Sequence, residues 1–322
     1  MISDTYYGND YQTAETVYNN YVDKFDIADL WTKPTAYFMQ IGEDWQKAKT
    51  IYHRFVYSLL IKEYITDAQW VIDEGAGRGG DVHRYSEIGV RNLLCMDIDP
   101  SAIVELIRRK YEHSKRRREA IASKRNNKWV GAGEAISFYD TAQDAKYENV
   151  IVRDTKSTTV HTMVVDLKTP YEKLEKMSAY YGVYGDRVNG ITSDFAFHYM
   201  CDSTDNIRNL LIFNARMLQV GGIFIFTVMN GALIVEALKE TATNDKWVLS
   251  EDGIDKYVIQ KKYSIDILSP ANQNIAVKLP FVNEMRDEPL CNVQFVIDEA
   301  VRLGFELVAN EPMTKMLNKL RA

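Results

Sequence analysis

The chain has little cysteine, and Cys95, Cys201 and Cys291 stand far apart in the sequence. No Cys-x-x-Cys pair occurs, and no two of the five histidines are spaced as His-x-x-x-His. We therefore expect neither a disulfide framework nor a metal site, and a reducing compartment is the simplest interpretation. No Ser/His/Asp or Cys/His arrangement lies at the predicted strand ends, which argues against a hydrolase.

Long hydrophobic runs are also missing. No stretch approaches the roughly 20 apolar residues that a membrane span needs. The first residues, MISDTYYGNDYQ, have neither a basic start nor an apolar segment, so they do not resemble a signal peptide. These absences predict a soluble, cytoplasmic protein.

Positive charge is in slight deficit, with 39 Lys and Arg against 45 Asp and Glu and a net charge of −6. A wholly basic nucleic-acid binder is therefore excluded, although a local basic patch is not. The length of 322 residues and the hydrophobic fraction of 46% are enough for a large globular core.

The most informative segment that is present is VIDEGAGRGGD at 71–81. It reads as a short apolar strand that runs into a glycine-rich turn, with Gly75, Gly77 and Gly80 in a G-x-G-x-x-G spacing. Asp97 ends a second apolar segment about 20 residues later. This pattern predicts a nucleotide-binding βαβ unit.

The acids around these glycines narrow the choice of ligand. Asp73, Glu74 and Asp81 would repel the pyrophosphate of NAD or FAD, whereas they would attract the sulfonium and ammonium groups of S-adenosylmethionine. We expect Asp97 to accept from the ribose hydroxyls and Asp166 to accept from the adenine amino group. The alternative is an ordinary glycine-rich turn with solvated acids, in which the strand-end aspartates are helix caps or turn formers.

Strands and helices are predicted to alternate along most of the chain. This alternation indicates an α/β fold, a mostly parallel sheet with helices on both faces, and ligands at the carboxyl ends of the strands. One helix is expected to begin at Asp99 and Pro100 and to bury Ile103, Leu106 and Ile107. The predicted strands are 71–73, 93–97, 162–166, 191–195, 223–228 and 305–309, and further helices are predicted from about 79, over 204–218 and near 293–301.

Two segments interrupt or precede this alternation. We assign 1–66 to an N-terminal arm with helices and 67–322 to the main domain. Within the main domain, about 108–158 is predicted to be a basic helix with an insertion. A Gly221-Gly222 pair is expected to end the helix that is predicted over 204–218.

The segment SDFAFHYMCDS at 193–203 follows the fourth predicted strand. Its aromatic side chains could stack on a purine ring, and His198 or Asp194 could hydrogen-bond to the purine edge. The alternative is that Phe195, Phe197 and Tyr199 are core residues and that His198 is a buried, hydrogen-bonded histidine.

A basic run covers residues 108–128, in which ten of the 21 residues are Lys or Arg. Such a run suits contact with a phosphate backbone, although a solvated helix face is the ordinary alternative. The candidate RNA-binding residues are Arg109, Lys115, Arg116, Arg117 and Arg118.

Together these segments resemble the mRNA cap guanine-N7 methyltransferases, in particular the methyltransferase domains of the capping enzymes of large DNA viruses. The resemblance covers most of residues 50–310 and implies a Rossmann-like class I S-adenosylmethionine-dependent methyltransferase fold. The segments that carry it are VIDEGAGRGGDVHRY, MDIDPSAIVELIRRKYEHSKRRR, SDFAFHY and NIRNLLIFNARMLQVGGIFIFTVMNG. A cap-site segment is implied at about 250–292.

The resemblance implies S-adenosylmethionine as donor, S-adenosylhomocysteine as product, no metal, and a capped RNA 5′ end (GpppN) as acceptor. It also implies that guanylyltransferase and triphosphatase domains accompany this one and, for a viral protein, that it works in a viral factory. No acid or base is expected, with Tyr199 and His198 orienting the substrates. The implied cofactor-binding residues are Asp73, Gly75, Gly77, Arg78, Asp81, Asp97, Asp166, Asp194 and Tyr199, and the implied cap-binding residues are Phe195, His198, Tyr199 and Glu288.

The sequence departs from the family at three places. The family's final strand, which often supplies an aromatic residue to the cap pocket, is not predicted after Met313. Tyr57 stands where the family usually has a lysine that contacts the donor's carboxylate, and Asp194 stands where glutamine is common. Two alternatives therefore stay open: a weak or inactive subunit that scaffolds or stimulates a capping partner, and a small-molecule methyltransferase on the same fold.

Overall fold

The computed structural model describes residues 57–110, 158–251, 254–278, 284–313 and 315. Most of the predicted N-terminal arm and of the basic insertion therefore lies outside the described residues. The same holds for Lys115, Arg116, Arg117 and Arg118 among the candidate RNA-binding residues.

Five parallel strands form the central sheet in the order β3-β2-β1-β4-β5. This is the doubly wound order that starts from the chain's first strand and reverses between β1 and β4. It confirms the predicted α/β class. The strands are β1 (Trp70–Glu74), β2 (Asn92–Asp97), β3 (Thr159–Val164), β4 (Val188–Asp194) and β5 (Leu218–Thr227).

Helices cover both faces of this sheet. Successive strand residues point to opposite faces, so neighbouring residues of β1 pack against different helices. Val71 packs with α1 (Ser58–Ile65), α2 (Val82–Glu87) and α3 (100–110). Ile72 packs on the other side with α4 (Tyr171–Ala179), the 3₁₀ helix (Phe197–Asp202) and α5 (Thr204–Met217). Each β1 residue is therefore committed to one core.

The start of α3 follows the prediction from its capping residues. The Ser101 N–H donates to Asp99 Oδ1 at 2.8 Å, and Ile103 and Leu106 are buried. Ile107 was expected to be buried as well, but 51% of its side chain is exposed. The prediction for Ile107 was wrong because the buried stripe is narrower on this helix, which rests on the sheet rather than between two layers.

Three other details differ from the expectation. The helix α5 ends at Met217 and β5 begins at Leu218, so Gly221-Gly222 lies inside a strand, where the β4–β5 register shifts. The third strand ends at Val164, two residues before the expected end. Residues 305–309 form no strand, and exposed Leu307 and Val308 have no sheet to cover.

A second sheet lies in the C-terminal part and is antiparallel, in the order β6-β7-β8-β9. Its strands are β6 (Lys246–Glu251), β7 (Ile254–Lys261), β8 (Asn274–Lys278) and β9 (Arg286–Pro289). The helices α6 (Gly231–Ala237) and α7 (Val293–Arg302) flank it in sequence. Strand β9 packs against the 3₁₀ helix, so the second sheet reaches the carboxyl edge of the first.

Two features are absent from the described residues. No helix among them is long and apolar enough to cross a membrane. No group of His, Cys, Asp and Glu side chains in those same ranges is arranged to hold a metal ion.

Candidate active site

The glycine loop after β1 is held against the end of β2 by its own backbone. The N–H groups of Gly75 and Ala76 donate to the Met96 carbonyl at 2.8 and 3.0 Å. The Gly77 N–H donates to Asp97 Oδ2 at 2.7 Å. The loop therefore lies at the carboxyl edge of the sheet, where the glycine spacing predicted it.

Gly75 is required by both conformation and space. Its φ of +71° is one that side chains disfavour, and a Cβ there would lie 2.2 Å from the Cβ of Ala196. Ala196 follows β4, so this contact packs the first loop against the loop that carries the aromatic segment. A Cβ on Gly77, in contrast, would meet no atom within 4 Å, so the chain leaves open space there.

We expect Gly75→Ala to destabilise the protein by about 2–5 kcal/mol, because a steric clash adds to backbone strain. Gly221→Ala is the matched control, since Gly221 has a φ of +78° but no atom near its added Cβ. It should cost only about 1–2 kcal/mol. Urea unfolding of both variants checks this prediction, and equal losses would refute the role of the contact with Ala196.

Asp97 is the acid that the loop engages most directly. Its Oδ2 accepts from Gly77 and its Oδ1 accepts from the Asp99 N–H at 2.8 Å. Burial raises the pKa of Asp97 above its ordinary value, although the backbone hydrogen bonds counteract this. The carboxylate therefore shapes the loop, and its contact with a ribose stays a prediction.

Three further acids lie near the loop: Asp73 and Asp81, which the sequence placed around the glycines, and Asp194, which the resemblance implied. Asp73 is 5% exposed, and burial and then the charge of Asp81 raise its pKa well above the ordinary range, with smaller contributions from Asp194 and Asp97. Asp81 pairs with Arg84, and Asp194 accepts from the Thr227 hydroxyl. The carboxylates are thus close enough to repel one another, so a cationic ligand would relieve the repulsion.

Two other residues that were predicted to bind the methyl donor lie at the rim of the candidate site. Asp166 is exposed, and its Oδ1 accepts from the Lys168 N–H at 2.9 Å, which is the geometry of a turn former. Arg78 is half-buried, and burial followed by the nearby charge of Arg109 lowers its pKa. Binding of the donor by these side chains stays a prediction.

The aromatic segment divides between core and surface. Phe197 is fully buried, whereas Phe195 is 38% exposed and has a φ of +50°. Its N–H donates to the Thr227 carbonyl at 3.0 Å, which holds this unusual backbone. Phe197 therefore follows the interpretation as core, and Tyr199 is partly buried against that core. Phe195 does not follow it and presents its ring beyond the end of β4.

The rings of His198 and Tyr199 lie 4.1 Å apart between centroids. His198 is 5% exposed, and neither of its ring nitrogens has a hydrogen-bond partner among the described residues. Burial lowers its pKa to about 4, so the imidazole is neutral at pH 7. The interpretation of His198 as a buried histidine that is satisfied by hydrogen bonds was wrong.

Glu288 faces this histidine from β9. Its Oε2 lies 3.7 Å from His198 Nε2, beyond hydrogen-bonding distance. Burial raises the pKa of Glu288 to about 7, while the charge of Arg286 lowers it. The pair is thus buried and polar, and its geometry leaves the hydrogen-bonding capacity of both groups incompletely used.

Sequence reasoning missed several residues at this edge. Ile98 and Val164 follow or end β2 and β3 and are 65% and 49% exposed, although both are apolar. The expectation that Glu74 faces the ligand together with Asp73 and Asp81 was wrong, because successive strand residues point to opposite faces. Glu74 is fully buried on the opposite side of β1 from Asp73 and faces the Asn214 amide, and burial raises its pKa well above the ordinary range. The face of the sheet to which a strand-end side chain points depends on how the sheet is assembled. The sequence could therefore indicate only that these residues lie at strand ends.

Solved structures with a similar arrangement include an S-adenosylmethionine-dependent methyltransferase from Clostridium acetobutylicum. It aligns at a TM-score of 0.45 and 11% identity over 92% of this chain and 89% of that one. The PH0226 protein from Pyrococcus horikoshii aligns at a TM-score of 0.47 and 13% identity, over 91% of this chain and 92% of that one.

Residues 127–264 match the family described as the mRNA (guanine-N(7))-methyltransferase domain. An mRNA-capping enzyme of African swine fever virus, from a South African tick isolate, is 30% identical over 311 residues, 95% of this chain and 32% of the viral protein. The enzyme of a Kenyan pig isolate is 30% identical over 308 residues. The chain therefore spans about a third of the length of these relatives. The resemblance found in the sequence is confirmed: residues 127–264 match the mRNA (guanine-N(7))-methyltransferase domain, and the chain is similar over most of its length to viral mRNA-capping enzymes.

Proposed function

We propose that this chain transfers the methyl group of S-adenosylmethionine to N7 of the guanosine cap of mRNA and releases S-adenosylhomocysteine. The observation that carries the proposal is the buried His198–Glu288 pair beside the acid-lined glycine loop. The His198–Glu288 pair would receive an edge of guanine, and the acid-lined glycine loop would receive the cationic methyl donor. The match to the cap methyltransferase family supports this assignment.

On the donor side, the crowded carboxylates favour a ligand with positive charge. Asp97 would accept from the ribose hydroxyls, for which each of its oxygens keeps a lone pair besides the backbone bond it already accepts. The exposed side chains of Ile98 and Val164 offer apolar contact to the adenine ring. Asp166 would accept from the adenine amino group, and the open space at Gly77 would let the donor approach the backbone.

On the acceptor side, guanine offers N–H donors along one edge. Glu288 in its ionised form would accept from them, and Phe195 and Tyr199 would stack on or orient the base. Because guanine becomes positively charged when N7 is methylated, a nearby carboxylate stabilises the product-like transition state more than the ground state.

The transfer itself requires no side-chain acid or base. The lone pair of N7 forms the new bond to the methyl carbon, and the carbon–sulfur bond breaks with its electrons going to sulfur. N7 has no proton to lose. The protein would therefore contribute orientation, by His198 and Tyr199 among others, and electrostatic stabilisation.

The basic run 108–128 would track the RNA that follows the cap. Replacing Arg116, Arg117 and Arg118 by glutamate should weaken binding of single-stranded capped RNA and reduce the slope of log affinity against log salt by about two. Fluorescence anisotropy at several salt concentrations measures both. The dinucleotide GpppG, which lacks an RNA body, is the control and should be affected much less. An unchanged salt slope would exclude this segment from the interface.

The decisive experiment is methyl transfer to GpppG-capped RNA, with the product digested and the methyl group located on N7 or on a ribose hydroxyl. A small-molecule methyltransferase would leave RNA unmodified and methylate small acceptors. A scaffolding subunit would bind no S-adenosylmethionine and would act on a capping partner instead. We also propose that guanylyltransferase and triphosphatase activities lie in the same or a partner chain, and that the protein works in the cytoplasm, in viral factories if it is viral.

A further inference from the structure

We propose that Tyr57, Tyr85 and Thr192 form a buried hydroxyl relay that positions the Asp73 carboxylate for the ammonium group of the methyl donor. The proposal rests on the proposed function for the identity of the ligand. Its geometry rests on the described residues alone. All three residues act through Asp73, so they are positioning residues rather than catalytic ones.

The relay is continuous and closed to water. The Tyr57 and Tyr85 hydroxyl oxygens are 3.0 Å apart, and the Tyr85 hydroxyl lies 2.6 Å from Thr192 Oγ1. Thr192 Oγ1 lies 3.2 Å from Asp73 Oδ1. The three side chains are at most 1% exposed and Asp73 is 5% exposed. The relay links the start of α1, α2, β4 and β1 just below the glycine loop.

An ionised Asp73 sets the direction of every bond. A carboxylate can only accept, so Thr192 donates to Asp73, Tyr85 donates to Thr192, and Tyr57 donates to Tyr85. Tyr85 and Thr192 then each accept one hydrogen bond and donate another, and hydrogen bonds in such a chain polarise and strengthen one another in a low-dielectric interior. If Asp73 were protonated, Thr192 could turn toward the Ile72 carbonyl, which lies 3.4 Å from its hydroxyl.

The surroundings of Asp73 make such a relay necessary. The charged groups that act on it are Asp81 from α2, Asp97 from β2 and Asp194 from β4, and all are acidic. Arg84 forms an ion pair with Asp81, so its positive charge is less able to stabilise the ionised form of Asp73. The Thr192 hydrogen bond favours the charged form of Asp73. The donor's ammonium group would then supply the missing positive charge.

The relay also assigns a role to Tyr57. A lysine there was expected to contact the donor's carboxylate, but the Tyr57 ring is buried in the core between α1 and α2. Hydrogen bonds link its hydroxyl to Asp73 through Tyr85 and Thr192. With tyrosine in place of lysine at position 57, a direct contact with the donor's carboxylate is absent. Tyr57 instead acts indirectly, through Asp73, on the donor's ammonium group.

The test compares Thr192→Val, Tyr85→Phe and Tyr57→Phe by isothermal titration with S-adenosylmethionine between pH 5.5 and 8.5. We expect Thr192→Val and Tyr85→Phe to weaken binding about tenfold and Tyr57→Phe about two- to threefold. The pH midpoint of binding should move upward, because Asp73 loses support for its charged form. Tyr180→Phe, on a 73% exposed side chain, is the matched control and should change neither value.

A purely structural role would lower the unfolding free energy of these variants and leave the pH midpoint of donor binding in place. That result, or wild-type affinity in folded Tyr85→Phe, overturns the relay. If the wild-type protein binds no donor, the proposed function fails, and the relay is judged on the donor-free protein. The infrared carboxylate band of Asp73, identified by Asp73→Asn, should then shift in Tyr85→Phe, and an unshifted band refutes the relay.

Discussion

Asp97→Ala is expected to abolish measurable binding of S-adenosylmethionine, with a loss of affinity of about 100-fold or more. Two effects combine in this substitution. The ribose hydroxyls lose a charged acceptor, and the N–H groups of Gly77 and Asp99 lose the carboxylate oxygens to which they donate. The second effect releases the glycine loop from β2, so the site is altered in shape as well as in charge.

Isothermal titration with the donor measures this loss, and Asp97→Asn separates its two causes. Asparagine keeps one oxygen for a backbone N–H but has no negative charge, so its affinity should fall between those of the wild type and alanine variants. Asp298→Ala, on an exposed face of α7, is a control for the removal of a carboxylate. Wild-type donor affinity in folded Asp97→Ala would refute the assignment of the donor site.

The sequence predicted that the glycine loop and Asp97 lie together, because the information is local there. The glycine loop and Asp97 are about 20 residues apart and belong to one βαβ unit, so a strand-turn-helix pattern is enough to place them together. Asp99 also capped α3 as expected. The pattern could not show that one carboxylate oxygen of Asp97 accepts from the Gly77 N–H and the other from the Asp99 N–H, because this depends on the path of the Gly77 backbone.

The proposed acceptor half depends on a contact between residues that are distant in the sequence. His198 and Glu288 are 90 positions apart and meet only because β9 packs on the 3₁₀ helix. No periodicity links them, and the resemblance to the family alone suggested that they share a site. The burial of Tyr57 and the exposure of Ile107 were also unpredictable from spacing, because both depend on how α1, α2 and α3 share one face of the sheet.

The pH dependence of cap binding is the second large effect expected. Glu288 must be ionised to accept from the N–H edge of guanine, and its pKa is raised by burial to about 7. Protonation below pH 7 therefore opposes binding, and ionisation above pH 7 favours it. Between pH 6 and pH 8 the ionised fraction rises from about one tenth to about nine tenths, so cap affinity should rise about tenfold. His198 has a pKa of about 4 and stays neutral over this range.

Fluorescence quenching by a cap dinucleotide, measured from pH 5.5 to 8.5, checks this dependence. Glu288→Gln replaces the carboxylate by a neutral amide of nearly the same shape, so its affinity should be low and flat across the range. Donor binding by Glu288→Gln should be unchanged, because Glu288 lies on β9 rather than among the carboxylates of the glycine loop. If Glu288→Gln kept the rise in cap affinity between pH 6 and 8, the titrating group would be elsewhere. The guanine would then not be held by Glu288.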